Sequence, residues 1–327
     1  MKIFNTFLFI FISLIFISDA CHKDDMKVIR NDNAKQLTHS LNKESCQNPA
    51  FSPDGNYLVF TRFIGGYNSE KSEIIKIDIN GENETVIVPS DNYANVNVPF
   101  GCWAGSKICF SSDRAGASDE IWTVNDDGTN LIQITSHDEA TEIYYIEPVF
   151  NPQNNKQIIF EYVTGENDKK AKHQIAFLNV LTSEIKLLTD GTFDDRLPSW
   201  SNNKSEILFQ RKAYGQENGW KVYTANIDTL SRELHNIKVV LNENIDQTDC
   251  SWYFDDNFIL TSAYFDNSEM PNIFLLPVNG KNPIRISNTE TNEDGAPASS
   301  PDGKKIAFES HFGEDETEPS EIWIIDR

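Results

Sequence analysis

The chain repeats a strand–turn–strand unit six times, and no other feature limits its fold as tightly. Two copies are sharp: Phe51-Ser52-Pro53-Asp54-Gly55 leading into Leu58-Val59-Phe60, and Ser300-Pro301-Asp302-Gly303 leading into Ile306-Ala307-Phe308. Four looser copies turn at Ala104-Gly105-Ser106-Lys107, Asn151-Pro152-Gln153-Asn154, Ser201-Asn202-Asn203-Lys204 and Phe254-Asp255-Asp256-Asn257. From Pro53 the turns recur after 51, 48, 50, 53 and 46 residues. A period near 50 built on short apolar runs predicts an all-β, six-bladed propeller of four-stranded antiparallel blades.

Each copy carries four strand signals. The first ends in an aromatic residue, Phe51, Trp103, Phe150, Trp200 or Trp252, with Ser299 the exception, and a proline often stands two or more residues earlier. The second and third are β-branched and aromatic runs such as Ile108-Cys109-Phe110 and Ile322-Trp323-Ile324-Ile325, which is strand chemistry. Asn80-Gly81, Asp127-Gly128 and Asn279-Gly280 follow third strands and predict type I′ hairpin turns. The fourth often ends in a hydroxyl residue, as in Ile132-Gln133-Ile134-Thr135. The sixth copy lacks its fourth strand, because the sequence stops at Arg327, while Lys35-Gln36-Leu37-Thr38 supplies a matching piece at the other end. The N-terminal strand is therefore expected to complete the last blade, closing the ring and covering two open sheet edges.

The N-terminus predicts export. Lys2 precedes the apolar run Phe7–Ile17, too short to span a bilayer comfortably, and Ser18-Asp19-Ala20-Cys21 follows. A small residue before the first cysteine resembles a bacterial lipoprotein cleavage site, although Asp19 departs from that pattern; simple secretion with cleavage after Ala20 is the alternative. His22-Lys23-Asp24-Asp25 resembles the acidic export tag of surface lipoproteins in Bacteroidota. The expected organisation is a signal peptide over residues 1–20, a tether over 21–34 lipidated at Cys21, and one propeller over 35–327. That places the protein at the outer membrane, at the cell surface or otherwise in the periplasm, held by its lipid alone.

With 28 basic and 50 acidic residues the net charge is −22, which argues against nucleic acid or an anionic membrane surface as partner. Cys102 and Cys109 flank a short turn and are expected as free thiols; Cys46 and Cys250 could meet only if the inner strands converged. The six histidines, His22, His39, His137, His173, His235 and His311, show no ligand spacing and read as surface residues. Asp126-Asp127-Gly128 is a turn and not a calcium loop.

Phe51-Ser52-Pro53-Asp54-Gly55 resembles the TolB-type propeller repeat, as does Ser111-Ser112-Asp113-Arg114-Ala115-Gly116 followed by Ile121-Trp122 and Asp127-Gly128. The resemblance covers roughly residues 35–327 and implies the fold. It does not carry over the Tol–Pal role, since only a short tail precedes the first strand. Peptidases with similar propellers add a hydrolase domain and a Gly-x-Ser-x-Gly elbow, which this sequence lacks. Oligogalacturonate lyases place His and Gln metal ligands at the propeller centre.

The loops leading into the first strands hold Glu44, Glu142, Asp194, Asp195, Asp246, Asp249, Glu293 and Asp294, drawn from five of the six repeats. A carboxylate ring there would focus negative potential at the channel mouth, open to a divalent cation or to basic side chains of a partner. Arg62, Arg114 and Arg211 follow second strands and could pair with it; Asp113-Arg114 could instead hold its own loop. No resident cofactor is expected. The leading function is a non-enzymatic, monomeric binding module for an envelope protein or glycan. The rivals are a metal-dependent carbohydrate-active enzyme of polysaccharide-lyase type and a subunit of an uptake complex.

Overall fold

The computed structural model describes residues 30–327 apart from 42, 70, 92–95, 100, 117, 139–141, 166–170, 266, 267 and 314–317. The expected signal peptide and Cys21 lie outside the described residues.

The described strands form six antiparallel sheets in sequence order around one axis. Blade one runs Ser45–Phe51, Tyr57–Phe63, Ser72–Asp78 and Thr85–Val88; blade three runs Ile143–Asn151, Asn154–Thr164, Lys172–Asn179 and Glu184–Leu187. Blade four is Asp194–Trp200, Glu206–Lys212, Lys221–Asp228 and Glu233–Val239, and blade five Gln247–Trp252, Phe258–Ala263, Asn272–Pro277 and Ile284–Arg285. In blade two the inner strand is split into Val96–Asn97 and Trp103–Ala104, both paired to Lys107–Ser112. Glu120–Asn125 and Ile132–Gln133 complete that blade. Blade six is Asn292–Ser299, Lys305–Phe312 and Ser320–Asp326, and its outer strand is Lys35–Gln36, with Lys35 opposite Ile324 and Gln36 opposite Trp323. The ring closes as its sequence predicts. Anchoring begins before that strand: Arg30, inside the expected tether, bridges to Thr289.

The core is a set of interfaces between neighbouring blades. Phe60, Phe110, Phe160, Phe209 and Phe308 end the apolar triplets of five second strands, and all are fully buried. One cluster joins Leu58 and Phe60 of blade one to Ala307 and Ile322 of blade six, so the closing seam is packed like the others. Cys46, Cys102, Cys109 and Cys250 are buried free thiols.

Two local devices recur. In five blades the first strand loses register near its middle. The extra residue is left-handed: Asn48 (φ 56°), Glu147 (53°), Leu197 (48°), Asp249 (51°) and Ala296 (45°). Four of the five precede a proline, and a bulge on an edge strand tolerates the missing N–H. The second device is the hairpin turn, which differs from expectation. Gly81, Gly128 and Gly280 have positive φ but Asn80, Asp127 and Asn279 do not. Gly81 N donates to Asp78 O at 2.9 Å while Asp78 N donates to Glu82 O at 2.9 Å. This is a right-handed turn closed by one left-handed glycine, not the two left-handed residues of type I′.

Candidate functional site

One face of the disc carries the loops leading into the first strands and those joining second to third strands. Most of the expected carboxylates there are already partnered. Asp195 sits opposite Arg211 on the neighbouring strand and takes two of its hydrogen bonds, at 2.5 and 2.9 Å. Asp294, fully buried, holds Arg30 at 2.9 and 2.8 Å; the same guanidinium meets Asp32 and lies over Phe308 and Trp323. Asp194 pairs with Arg196 at 2.7 and 3.0 Å. Asp246 accepts from Gly219 N (2.5 Å) and Trp220 N (2.8 Å). Glu142 is exposed, Glu44 half-buried, and Glu293 lies 3.7 Å from His311.

The three arginines divide. Arg211 faces an expected carboxylate, whereas Arg62 pairs with Glu73 and Glu84 of its own blade. Arg114 holds its own loop: its N–H and Nε both donate to Ser112 Oγ at 3.3 Å, and its guanidinium lies over Phe110 and Trp122.

Below this layer the axis holds carboxylates that the sequence reading missed. Glu161 and Glu309 directly follow the apolar triplets of blades three and six, where Thr61 stands in blade one. Each of the three accepts a backbone N–H of the next blade: Glu309 from Asn48 (2.8 Å), Thr61 from Val98 (3.0 Å) and Glu161 from Leu197 (3.2 Å). With its amide turned over, Gln210 accepts from Cys250 N at 3.2 Å in the same way. The chemistry is an inter-blade latch at the bulge, and an acidic residue breaking an apolar run was its only sequence signal. Burial, reinforced by Glu161 and Asp249, raises the Glu147 carboxyl to about 8. Burial likewise raises Glu309 to about 8 and Asp119 to about 7. Tyr67 reaches across from blade one to donate to Glu309 at 3.1 Å.

His39 and His235 are exposed as expected and His22 lies outside the described residues, whereas the other three histidines correct their expectation as surface residues. His173 and His311 are buried, and His137 is largely covered. His173 Nδ1 lies 2.5 Å from Glu161, and His137 Nδ1 lies 2.7 Å from Glu120. Among the described residues no group of three or more His, Cys, Asp or Glu side chains is arranged to hold a metal ion.

The accessible chemistry of this face gathers on blades four and five. Phe193, Tyr214 and Tyr264 are each about 40% exposed. Arg211 lies over Phe193, and Arg196 and Lys212 lie over Trp220. Next to them Asn218, Gly219, Asn244, Ile245, Asp246 and Tyr264 line an open depression of about 450 Å³. The sequence reading found Arg211 and Asp246 there but not the aromatic residues between them, which are spread over three loops.

The chain matches the TolB beta propeller domain family over residues 22–254 and belongs to it. Among solved structures it is similar to a putative TolB from Agrobacterium tumefaciens, at 14% identity over 87% of this chain and 91% of that one, TM-score 0.59. It is also similar to an oligogalacturonate lyase from Vibrio parahaemolyticus, at 12% identity over 92% and 96%, TM-score 0.58. A protein of unknown function from Dyadobacter fermentans shares 11% identity over 92% and 99%, TM-score 0.60. At such identities these likenesses show the fold alone. No curated protein sequence matches this one.

Proposed function

We propose that this TolB-like propeller is a non-enzymatic binding module of the bacterial envelope, tethered through a lipid on Cys21, that docks a protein partner on its loop face. The observation that carries the reading is the set of aromatic and basic side chains on the loops of blades four and five: Arg211 over Phe193, Arg196 and Lys212 over Trp220, partly exposed Tyr214, and Tyr264 lining the depression at Asp246. Aromatic residues and arginine are the side chains that anchor protein interfaces. Here the arginines are held in place by Asp194 and Asp195, so little side-chain entropy remains to be lost on docking. The six-bladed ring supplies the rigid base.

The test is a pull-down from gently solubilised native envelopes with the lipidated protein and with a Phe193→Ser, Tyr264→Ser double variant. Both residues are partly exposed, so the variant keeps its fold. A protein retained by the native form and lost from the variant supports the reading. Equal retention by both moves the interface off these side chains.

A further inference from the structure

At the opposite end of the axis, the ends of the first strands surround a second cavity, of about 320 Å³. Its wall takes residues from all six blades, among them Phe51, Trp103, Phe150, Trp200 and Trp252. About one residue in four of this chain is charged, yet none of the described residues lining the cavity is. An uncharged window in a protein of net charge −22 has no counter-ion to offer a cation and no guanidinium or ammonium to receive an acid. The occupant it fits is neutral.

The polar atoms of the wall narrow the class. Ser251 Oγ donates to Pro297 O at 2.7 Å and Ser299 Oγ to Ser300 O at 3.0 Å, so their oxygens remain as acceptors. Asn202 places its two amide hydrogens on Tyr253 O and Asp256 Oδ1 (3.0 Å each) and Asn203 donates one to Phe254 O (3.4 Å), leaving both carbonyl oxygens as acceptors. The indole N–H of Trp252 reaches Ser199 O at 3.3 Å and that of Trp103 reaches Gly105 O at 3.1 Å. Trp200 Nε1 has no hydrogen-bond partner among the described residues, but the atom is closed off from the cavity, so the wall meets a ligand with its aromatic side chains and its acceptors. Such a wall complements a molecule with many hydroxyl donors. An apolar side chain would leave those atoms unsatisfied. The volume lies at the low end of the roughly 300–1,000 Å³ typical of small-molecule pockets and suits a single small ring.

We propose that this cavity binds one neutral sugar unit, the end of an uncharged glycan. The site is independent of the loop-face side chains and lies on the other face of the disc. Ser299 marks its opening, because it stands where five other blades place an aromatic ring.

The test is calorimetric titration, with tryptophan fluorescence read in parallel, using glucose, mannose, xylose, their neutral hexamers and tetragalacturonate. The wild-type protein is compared with Ser299→Phe and the Phe193→Ser, Tyr264→Ser double variant. We expect 1:1 binding of a neutral saccharide, unchanged in the loop-face variant and abolished by Ser299→Phe, which fills the gap. A site for one unit takes the monosaccharide and its hexamer alike; hexamer binding without monosaccharide binding overturns the one-unit site. No saturable response at millimolar neutral saccharide, preference for tetragalacturonate, or equal binding by Ser299→Phe of unaltered melting temperature overturns the proposal.

Discussion

The hydroxyl residues that end the fourth strands have a specific task. Thr38, Thr135, Thr189 and Ser287 each accept the backbone N–H of an isoleucine on the third strand, at 2.8, 2.8, 3.0 and 2.9 Å. In two blades the hydroxyl then donates to a carboxylate that opens the third strand: Thr135 to Glu120 at 2.5 Å and Thr38 to Glu321 at 2.5 Å. The pattern was visible in the sequence as a recurring Thr or Ser; its reason was not, because the partner is a main-chain group 14 residues away in three blades and 284 away for Thr38. Thr135→Val, nearly isosteric, strands Ile121 N and one Glu120 oxygen. It should cost about 1–3 kcal/mol in urea unfolding. The axial acids were less legible still. Glu147 precedes a proline inside a strand, and only the bulge turns it toward Glu161 and Asp249.

At the scale of the element, the closing strand is short in paired residues but well secured on both sides. Leu37 N donates to Ile322 O at 2.8 Å beyond the paired residues, and before them Arg30 is locked to Asp294 and Asp32. The sequence showed the missing fourth strand and its replacement, since both follow from counting strands. It could not show the Arg30 anchor, which depends on Asp294 being buried some 260 residues away. Removing one partner of a buried ion pair leaves an uncompensated charge, so Arg30→Ala should destabilise by about 3–5 kcal/mol in denaturant unfolding, whereas Arg30→Ala combined with Asp294→Ala should recover part of it. The turns follow the same division. The Asp-Gly and Asn-Gly pairs located the third-to-fourth turns of blades one, two and five, but the backbone type was set by the strands around them. At Gly303 (φ 70°) the reason for glycine is tertiary: a Cβ there would stand 2.2 Å from the Phe254 ring of the adjacent blade.

For the molecule as a whole, the ring draws side chains from blades far apart in sequence into one low-dielectric shaft. Glu147, Glu309 and Asp119 keep their protons in the folded protein to a pH of about 7 to 8 and release them near pH 4 when unfolded. Between those limits the folded state holds more protons, so stability is greatest toward the acid side of the window and falls as pH rises. The slope is at most about 1.4 kcal/mol per pH unit for each group. The melting temperature should therefore decline from pH 5 to pH 8, and Glu147→Gln should flatten that decline by one group's share; a melting temperature that rises across this range would contradict the assignment. The fold was legible in the sequence because a period of 50 repeats six times. The aromatic residues of the loop face were not, because Phe193, Tyr214, Trp220 and Tyr264 are scattered over three loops of two blades, and Tyr214 is set by its hydroxyl bonds to His173 of blade three.

The most direct test of the binding account is photocrosslinking in intact cells. A photoreactive phenylalanine would replace Tyr264 on the loop face or Leu230, 93% exposed on the outer rim of blade four. The account predicts one discrete protein adduct from position 264 and none from position 230. Adducts of equal yield from both positions, or from 230 alone, would contradict it.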